Sequence, residues 1–99
     1  MLKNNTLHSF LLAAKDDPRI SAVHIALYLA LLQKSLPHKN NPGIKVFRRE
    51  VMCLAKISSR QTYNKRINEL QEFGYITYTP SHHQAVGTVI QFTSNNYFS

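Results

Sequence analysis

The run from residue 58 to residue 76 constrains this chain more than any other feature. Ser58 and Gln61 have the S-x-x-Q spacing of a capping box, which predicts where a helix begins. Tyr63, Ile67 and Leu70 follow at i, i+4 and i+7 and share one apolar face. Gln61, Lys65, Asn68 and Glu72 fall on the opposite face, with Asn64 on the flank. Phe73 and Gly74 close the helix, glycine being the usual left-handed stop. Upstream, residues 48–55 predict a second short helix with Val51, Leu54 and Ala55 inward. Lys56, Ile57 and Ser58 form the turn between the two helices, with Ile57 plugging the core. Downstream, residues 75–79 and 88–92 are rich in strand formers. The segment 80–87 between them is too long for a tight turn and predicts a looped wing. Ile44, Lys45 and Val46 alternate and predict a short first strand. Two helices, a tight turn and a hairpin outline a winged helix-turn-helix: mostly α, with a small antiparallel β-hairpin, in the α+β class.

The first third predicts two more helices. Leu7, Phe10, Leu11 and Ala14 mark one face of a helix over 5–15, broken by Asp16, Asp17 and Pro18. Capping of the helix end accounts for the two aspartates. Ser21 is a good N-cap for a helix over 22–34. Val23, Ala26, Leu27, Ala30 and Leu31 form its stripe, and Ile25, Leu29 and Leu32 widen it almost all round. A helix so apolar is either central or committed to another chain, so residues 5–34 are expected to support a homodimer. His24 is expected to be satisfied and half-buried. Residues 35–43, with two prolines, predict a loop, and 93–99 a loose tail. With 99 residues, 43% of them hydrophobic, the chain is expected to form one domain over 1–99, the helix-turn-helix at 44–76 and the wing at 77–92.

Charge is unevenly placed. The net formal charge is +7. Residues 1–36 hold four basic and two acidic groups, and residues 77–99 hold none of either sign. Residues 37–76 hold eight basic groups (Lys39, Lys45, Arg48, Arg49, Lys56, Arg60, Lys65, Arg66) and three acidic ones (Glu50, Glu69, Glu72). The surplus sits on the predicted helix-turn-helix, as an anionic partner requires. Many small basic proteins are charged for solubility alone, so the residue types on the helix carry more of the argument.

A helix entering the major groove needs amides or guanidinium groups to match base edges, and hydroxyls and cations for the flanking phosphates. Gln61, Asn64 and Asn68 can address adenine; Arg60 and Lys65 can reach guanine or phosphate. Ser59 and Thr62 lie near the helix N-terminus, where free amides favour a phosphate oxygen. Arg48 and Arg49 open the preceding helix, which would cross the backbone. Arg66 faces partly toward the core and can cover apolar surface with its stem. In the wing, His82 and His83 could contact phosphate and gain charge below about pH 6.5, though solvated loop histidines are the blander description.

Enzyme chemistry is poorly supported. The five carboxylates are accounted for by capping and surface pairing, and three scattered glycines make no phosphate loop. The five histidines have no ligand spacing with Cys53, so no metal, cofactor or small-molecule substrate is expected. Cys53 allows no internal disulfide and is expected to be a small buried side chain, in keeping with a cytoplasmic location. No apolar run approaches the roughly 20 residues a bilayer demands. The apolar start of the chain is interrupted by His8 and Ser9, and is read as a helix of the fold rather than an export signal.

Over residues 16–92 the chain resembles small winged-helix proteins of Bacteroidetes, often encoded near mobile elements. The resemblance rests on Asp17-Pro18-Arg19-Ile20, on His24-Ile25-Ala26-Leu27-Tyr28-Leu29-Ala30-Leu31, and on Arg48-Arg49-Glu50-Val51-Met52. It continues through Ala55-Lys56-Ile57-Ser58-Ser59, Thr62-Tyr63-Asn64-Lys65, Gly74-Tyr75-Ile76, Tyr78, Pro80-Ser81 and Gly87-Thr88. The chain departs from the pattern at Asn64, where the family tends to have histidine, and near Gln84, where it tends to have a second proline. The resemblance implies a small transcriptional regulator that binds double-stranded DNA. Two other readings stay open: an accessory factor for excision, replication or transfer of a mobile element, and a winged-helix protein-interaction module.

Overall fold

The computed structural model describes residues 2–36, 44–79 and 88–92. Its elements run α1 (Leu2–Lys15), α2 (Ala22–Ser35), β1 (Ile44–Val46), α3 (Arg48–Ala55), α4 (Arg60–Glu72), β2 (Ile76–Thr79) and β3 (Thr88–Phe92). The fold is mostly helical with one small antiparallel sheet, an α+β arrangement. The sheet order is β1-β3-β2. Ile44 pairs with Ile90 and Lys45 with Val89 on one side; Ile76 pairs with Phe92 and Tyr78 with Ile90 on the other. The period of two turns Ile44, Val46, Ile76 and Ile90 inward, and leaves Lys45, Val89, Thr77 and Gln91 facing out. The expected loop at 35–43 falls largely outside the described residues, as do segment 80–87 and tail 93–99.

The helix α2 is central, packing on α3, α4 and β1. Its buried ridge is His24, Leu27, Tyr28 and Leu31, with Ala30 beside it. That ridge is rotated from the predicted stripe: Val23 and Ala26 are half-buried, and Leu29 is exposed. The cause is His24, whose ring takes a fully buried place because both its nitrogens find partners.

Aromatic rings fix α1. The Phe10 ring stacks on Tyr28 at 3.8 Å and meets Tyr75 edge-on at 5.3 Å; Tyr28 meets Phe92 edge-on at 5.3 Å. Seating Phe10 turns Ser9 and Ala13 inward and Leu11 outward, so the predicted face holding Leu11 is corrected. The helix also begins at Leu2, ahead of the predicted Asn5. Beyond it, Asp17 is more than a helix-end cap. It accepts from Arg19 and from the Tyr75 hydroxyl, tying the α1–α2 connection to the entry of β2.

The helix α3 matches its predicted span, but its inward edge is narrower. Val51 and Ala55 are buried, while Leu54 is exposed, against expectation. With only eight residues the helix buries one i, i+4 ridge, and positions 53 and 54 rotate away from it. Cys53 is therefore exposed, not buried. No described helix is long and apolar enough to cross a membrane.

Candidate nucleic-acid interface

The turn between α3 and α4 sets how α4 is presented. Lys56 adopts φ 62°, ψ 38°, and its N–H bonds back to the Cys53 carbonyl while Ile57 N–H bonds to Met52. This pair of bonds ends α3 as a Schellman motif would, with lysine at the left-handed position where glycine is usual. The reversal drives Ile57 into the core, where it is 9% exposed. The next helix is then capped by Ser59, whose Oγ accepts from the Thr62 N–H at 3.2 Å. The predicted box between Ser58 and Gln61 is thus replaced by a single cap one residue later, because burial of Ile57 leaves Ser58 in the extended connection. At its far end α4 closes through Gly74 N–H to Gln71 and Tyr75 N–H to Leu70, with Gly74 at φ 90°.

Three sides of α4 are engaged. Its back, Tyr63, Ile67 and Leu70, is buried, as the spacing predicts. One flank carries Arg66 and Glu69 toward α2. Glu69 Oε1 lies 2.6 Å from the Arg66 guanidinium and 2.7 Å from His24 Nε2. The other flank carries Gln71, whose side-chain oxygen accepts from the Tyr78 N–H of β2 at 2.6 Å. What remains outward is the stripe Gln61, Lys65, Asn68 and Glu72, with Arg60 and Asn64 beside it, all exposed.

The carboxylates sharpen this picture. Asp17 pairs with Arg19, Glu50 with Lys34, and Glu69 with Arg66. Lys45, Arg48, Arg49, Lys56, Arg60 and Lys65, with Lys15 on α1, pair with no carboxylate among the described residues. Lys45 and Lys56 had not been singled out from sequence; the alternation of Ile44-Lys45-Val46 is the signal that finds the first. Burial, and secondarily the nearby Tyr78 phenol, push the Tyr63 hydroxyl up to about 12, with Arg48 pulling the other way. The first residue of α3 therefore lies within electrostatic reach of the early half of α4.

Of the residues singled out from sequence, Arg48, Arg49, Arg60, Gln61, Asn64, Lys65 and Asn68 are exposed. Ser59 is exposed too, with its oxygen occupied as the cap. Thr62 is half-buried, less open than predicted. His82 and His83 lie outside the described residues. Arg66, expected to face partly toward the core, is half-buried, and its guanidinium also pairs with Glu69. No group of three or more histidine, cysteine or carboxylate side chains among the described residues could hold a metal ion.

No family model, curated protein or solved structure matches the chain at a significant level.

Proposed function

We propose that this chain binds double-stranded DNA in a sequence-dependent way, as a winged helix-turn-helix in which α4 enters the major groove. The carrying observation is the outer stripe of α4: Gln61, Lys65 and Asn68 are exposed, while the back and both flanks of that helix are engaged. Amides there can match base edges, and Arg48, Arg49 and Arg60, which pair with no carboxylate among the described residues, can meet phosphates on either side. The resemblance to small winged-helix proteins of Bacteroidetes favours a role as a transcriptional regulator. Exposed Leu11, Leu12 and Leu29 on α1 and α2 favour a homodimer, which would set half-sites about 34–36 Å apart or a multiple of that.

Selecting bound fragments from random DNA tests the reading. It should return a defined sequence, repeated with two-fold symmetry if the protein dimerises. Binding to that sequence should weaken with salt along a log–log slope of about −4.5, as for five phosphate contacts. Recovery of unenriched DNA, or no binding even at low salt, rejects the proposal and favours a protein-docking role. Enriched sites clustered at the end of a mobile element would favour the accessory role over promoter control.

A further inference from the structure

The tip of one side chain on the back of α4 has no use within the fold. Tyr63 is 2% exposed, and its ring belongs to the core. A buried phenol ordinarily finds a hydrogen-bond partner. The Tyr63 hydroxyl finds none among the described residues. Nor is it sealed in: of the described side-chain nitrogens and oxygens, Arg66 Nε alone is both closed to solvent and without a partner. The groups within electrostatic reach of the hydroxyl are Tyr78 on β2 and Arg48, the first residue of α3. The hydroxyl therefore lies where the start of α3 meets β2. Burial pushes it up to about 12, so it keeps its hydrogen at neutral pH and remains a donor.

The start of α3 is open in the same way. Phe47 occupies the N-cap position and offers no side-chain acceptor. The amides of Glu50 and Val51 bond back to the Phe47 carbonyl. Those of Arg48 and Arg49 have no partner among the described residues. Two arginines fill the first two positions of the helix, where its own partial positive charge disfavours cations. Glu50, the acidic residue of the first turn, is drawn to Lys34 on α2 at 2.9 Å. Two amides, two arginines and one neutral hydroxyl thus share a corner of the fold with no acceptor for them among the described residues. A phosphate supplies what that corner lacks: lone pairs for the donors and negative charge for the helix end.

We propose that the Tyr63 hydroxyl and the uncapped start of α3 form a single receptor for a phosphodiester of the DNA backbone. The Arg48 and Arg49 amides and the phenol hold its oxygens, and the two guanidinium groups supply the charge. The amides belong to α3, whereas the phenol is rooted in the buried back of α4. One phosphate bound by both therefore sets how deeply the outer stripe of α4 sits against the bases, while reading none itself. Capture of a phosphate here is independent of the function proposed above; that the phosphate belongs to DNA rests on it.

The test compares the full chain with Tyr63→Phe, which removes the hydroxyl and nothing else. Its first arm is an NMR titration with inorganic phosphate in the absence of DNA. In the wild type the Arg48 and Arg49 amides should shift saturably. In Tyr63→Phe the midpoint should rise about tenfold, as for loss of a hydrogen bond to a charged group. Equal midpoints in the two proteins, or no saturable shift at these amides, overturn the receptor. The second arm is DNA binding across a salt series. Tyr63→Phe should weaken binding to every sequence about tenfold and leave the salt slope unchanged, because a neutral donor displaces no counterion. The melting temperature of the variant should equal or exceed that of the wild type, since the hydroxyl has no partner to lose; a marked drop assigns the hydroxyl to the fold instead and overturns the proposal. If DNA binds both proteins equally, the phosphodiester assignment falls and the DNA reading stands. If phosphate saturates the amides as expected but neither protein binds DNA at any salt, the phosphate receptor stands and the DNA reading falls. Should Tyr63→Phe fail to fold, Phe47→Asn decides, because its side-chain oxygen caps α3 and takes the Arg49 amide. Phosphate binding undiminished by that cap overturns the proposal.

Discussion

Tyr75, at the entry of β2, donates its hydroxyl hydrogen to Asp17 Oδ2 at 2.7 Å, across 58 residues of chain. The same carboxylate accepts from the Arg19 guanidinium at 2.8 Å through each oxygen. One side chain from the α1–α2 connection thus binds the start of the sheet and the lead-in to the central helix.

This arrangement makes stability depend on pH. The Arg19 hydrogen bond first, and the Tyr75 hydroxyl after it, hold the Asp17 carboxyl well below the usual carboxylate range. A folded-state value below the unfolded one stabilises the fold whenever the group is ionised in both states. The contribution is therefore complete above the unfolded carboxylate range, about pH 4–5, and is lost as the pH falls below it. Asp17→Asn should lower stability at pH 7 and flatten its decline on acidification. Urea melts at a series of pH values check this, and parallel curves for the two proteins would rule Asp17 out as the acid-sensitive group.

Two left-handed residues among those described, Gly74 and Lys56, give predictions of opposite sign. Gly74 has φ 90° with nothing within 4 Å of where a Cβ would stand. Gly74→Ala should therefore cost only the backbone penalty, about 1–2 kcal/mol. Lys56 already bears that penalty at φ 62°. Lys56→Gly should raise stability, by up to about 1 kcal/mol once the greater freedom of the unfolded chain is counted. The same change removes a cation with no carboxylate partner among the described residues, so DNA binding should weaken while the melting temperature rises. A drop in melting temperature for Lys56→Gly would contradict the left-handed turn.

The cap of α4 divides the two serines. Ser59→Ala should cost about 1 kcal/mol, while Ser58→Ala should stay within about 0.5. Thermal melts of the pair decide it, and the reverse order would place the helix start one residue earlier.

That displaced cap illustrates what could be read from the chain alone. Periodicity located the four helices and the first strand of the described residues because burial selects one face of each, and strand-forming composition located the other two strands. The back of α4, Tyr63, Ile67 and Leu70, and its outer stripe follow from spacing with no tertiary information. Choices between neighbours do not. Ser58 and Ser59 are equally good caps by type, and only the burial of Ile57 decides between them. Leu11 and Leu54 are as apolar as the residues chosen for the core, but seating Phe10 and the shortness of α3 turn them out. The His24–Glu69 contact joins residues 45 apart, and no local pattern announces it.

The unequal pairing of Lys65 and Arg66 yields the most discriminating prediction for the outer face of α4. The two are adjacent in sequence and carry the same charge. Arg66 is held 2.6 Å from Glu69 and is half-buried, whereas Lys65 is exposed and has no carboxylate partner among the described residues. A paired cation brings no net charge to a phosphate, and only a free one displaces a counterion on binding. Lys65→Ala should reduce the magnitude of the salt slope by about 1 and weaken all sequences alike. Arg66→Ala should leave the slope unchanged and instead lower stability, because Glu69 stays at the α2 seam without its guanidinium. Gln61→Ala should do neither, but cost about 1–3 kcal/mol on the selected sequence and relax preference there. Filter binding across a salt series, with a thermal melt of each variant, separates the three behaviours. If Lys65 and Arg66 prove interchangeable in both measurements, pairing by Glu69 does not govern which cations of α4 meet the nucleic acid.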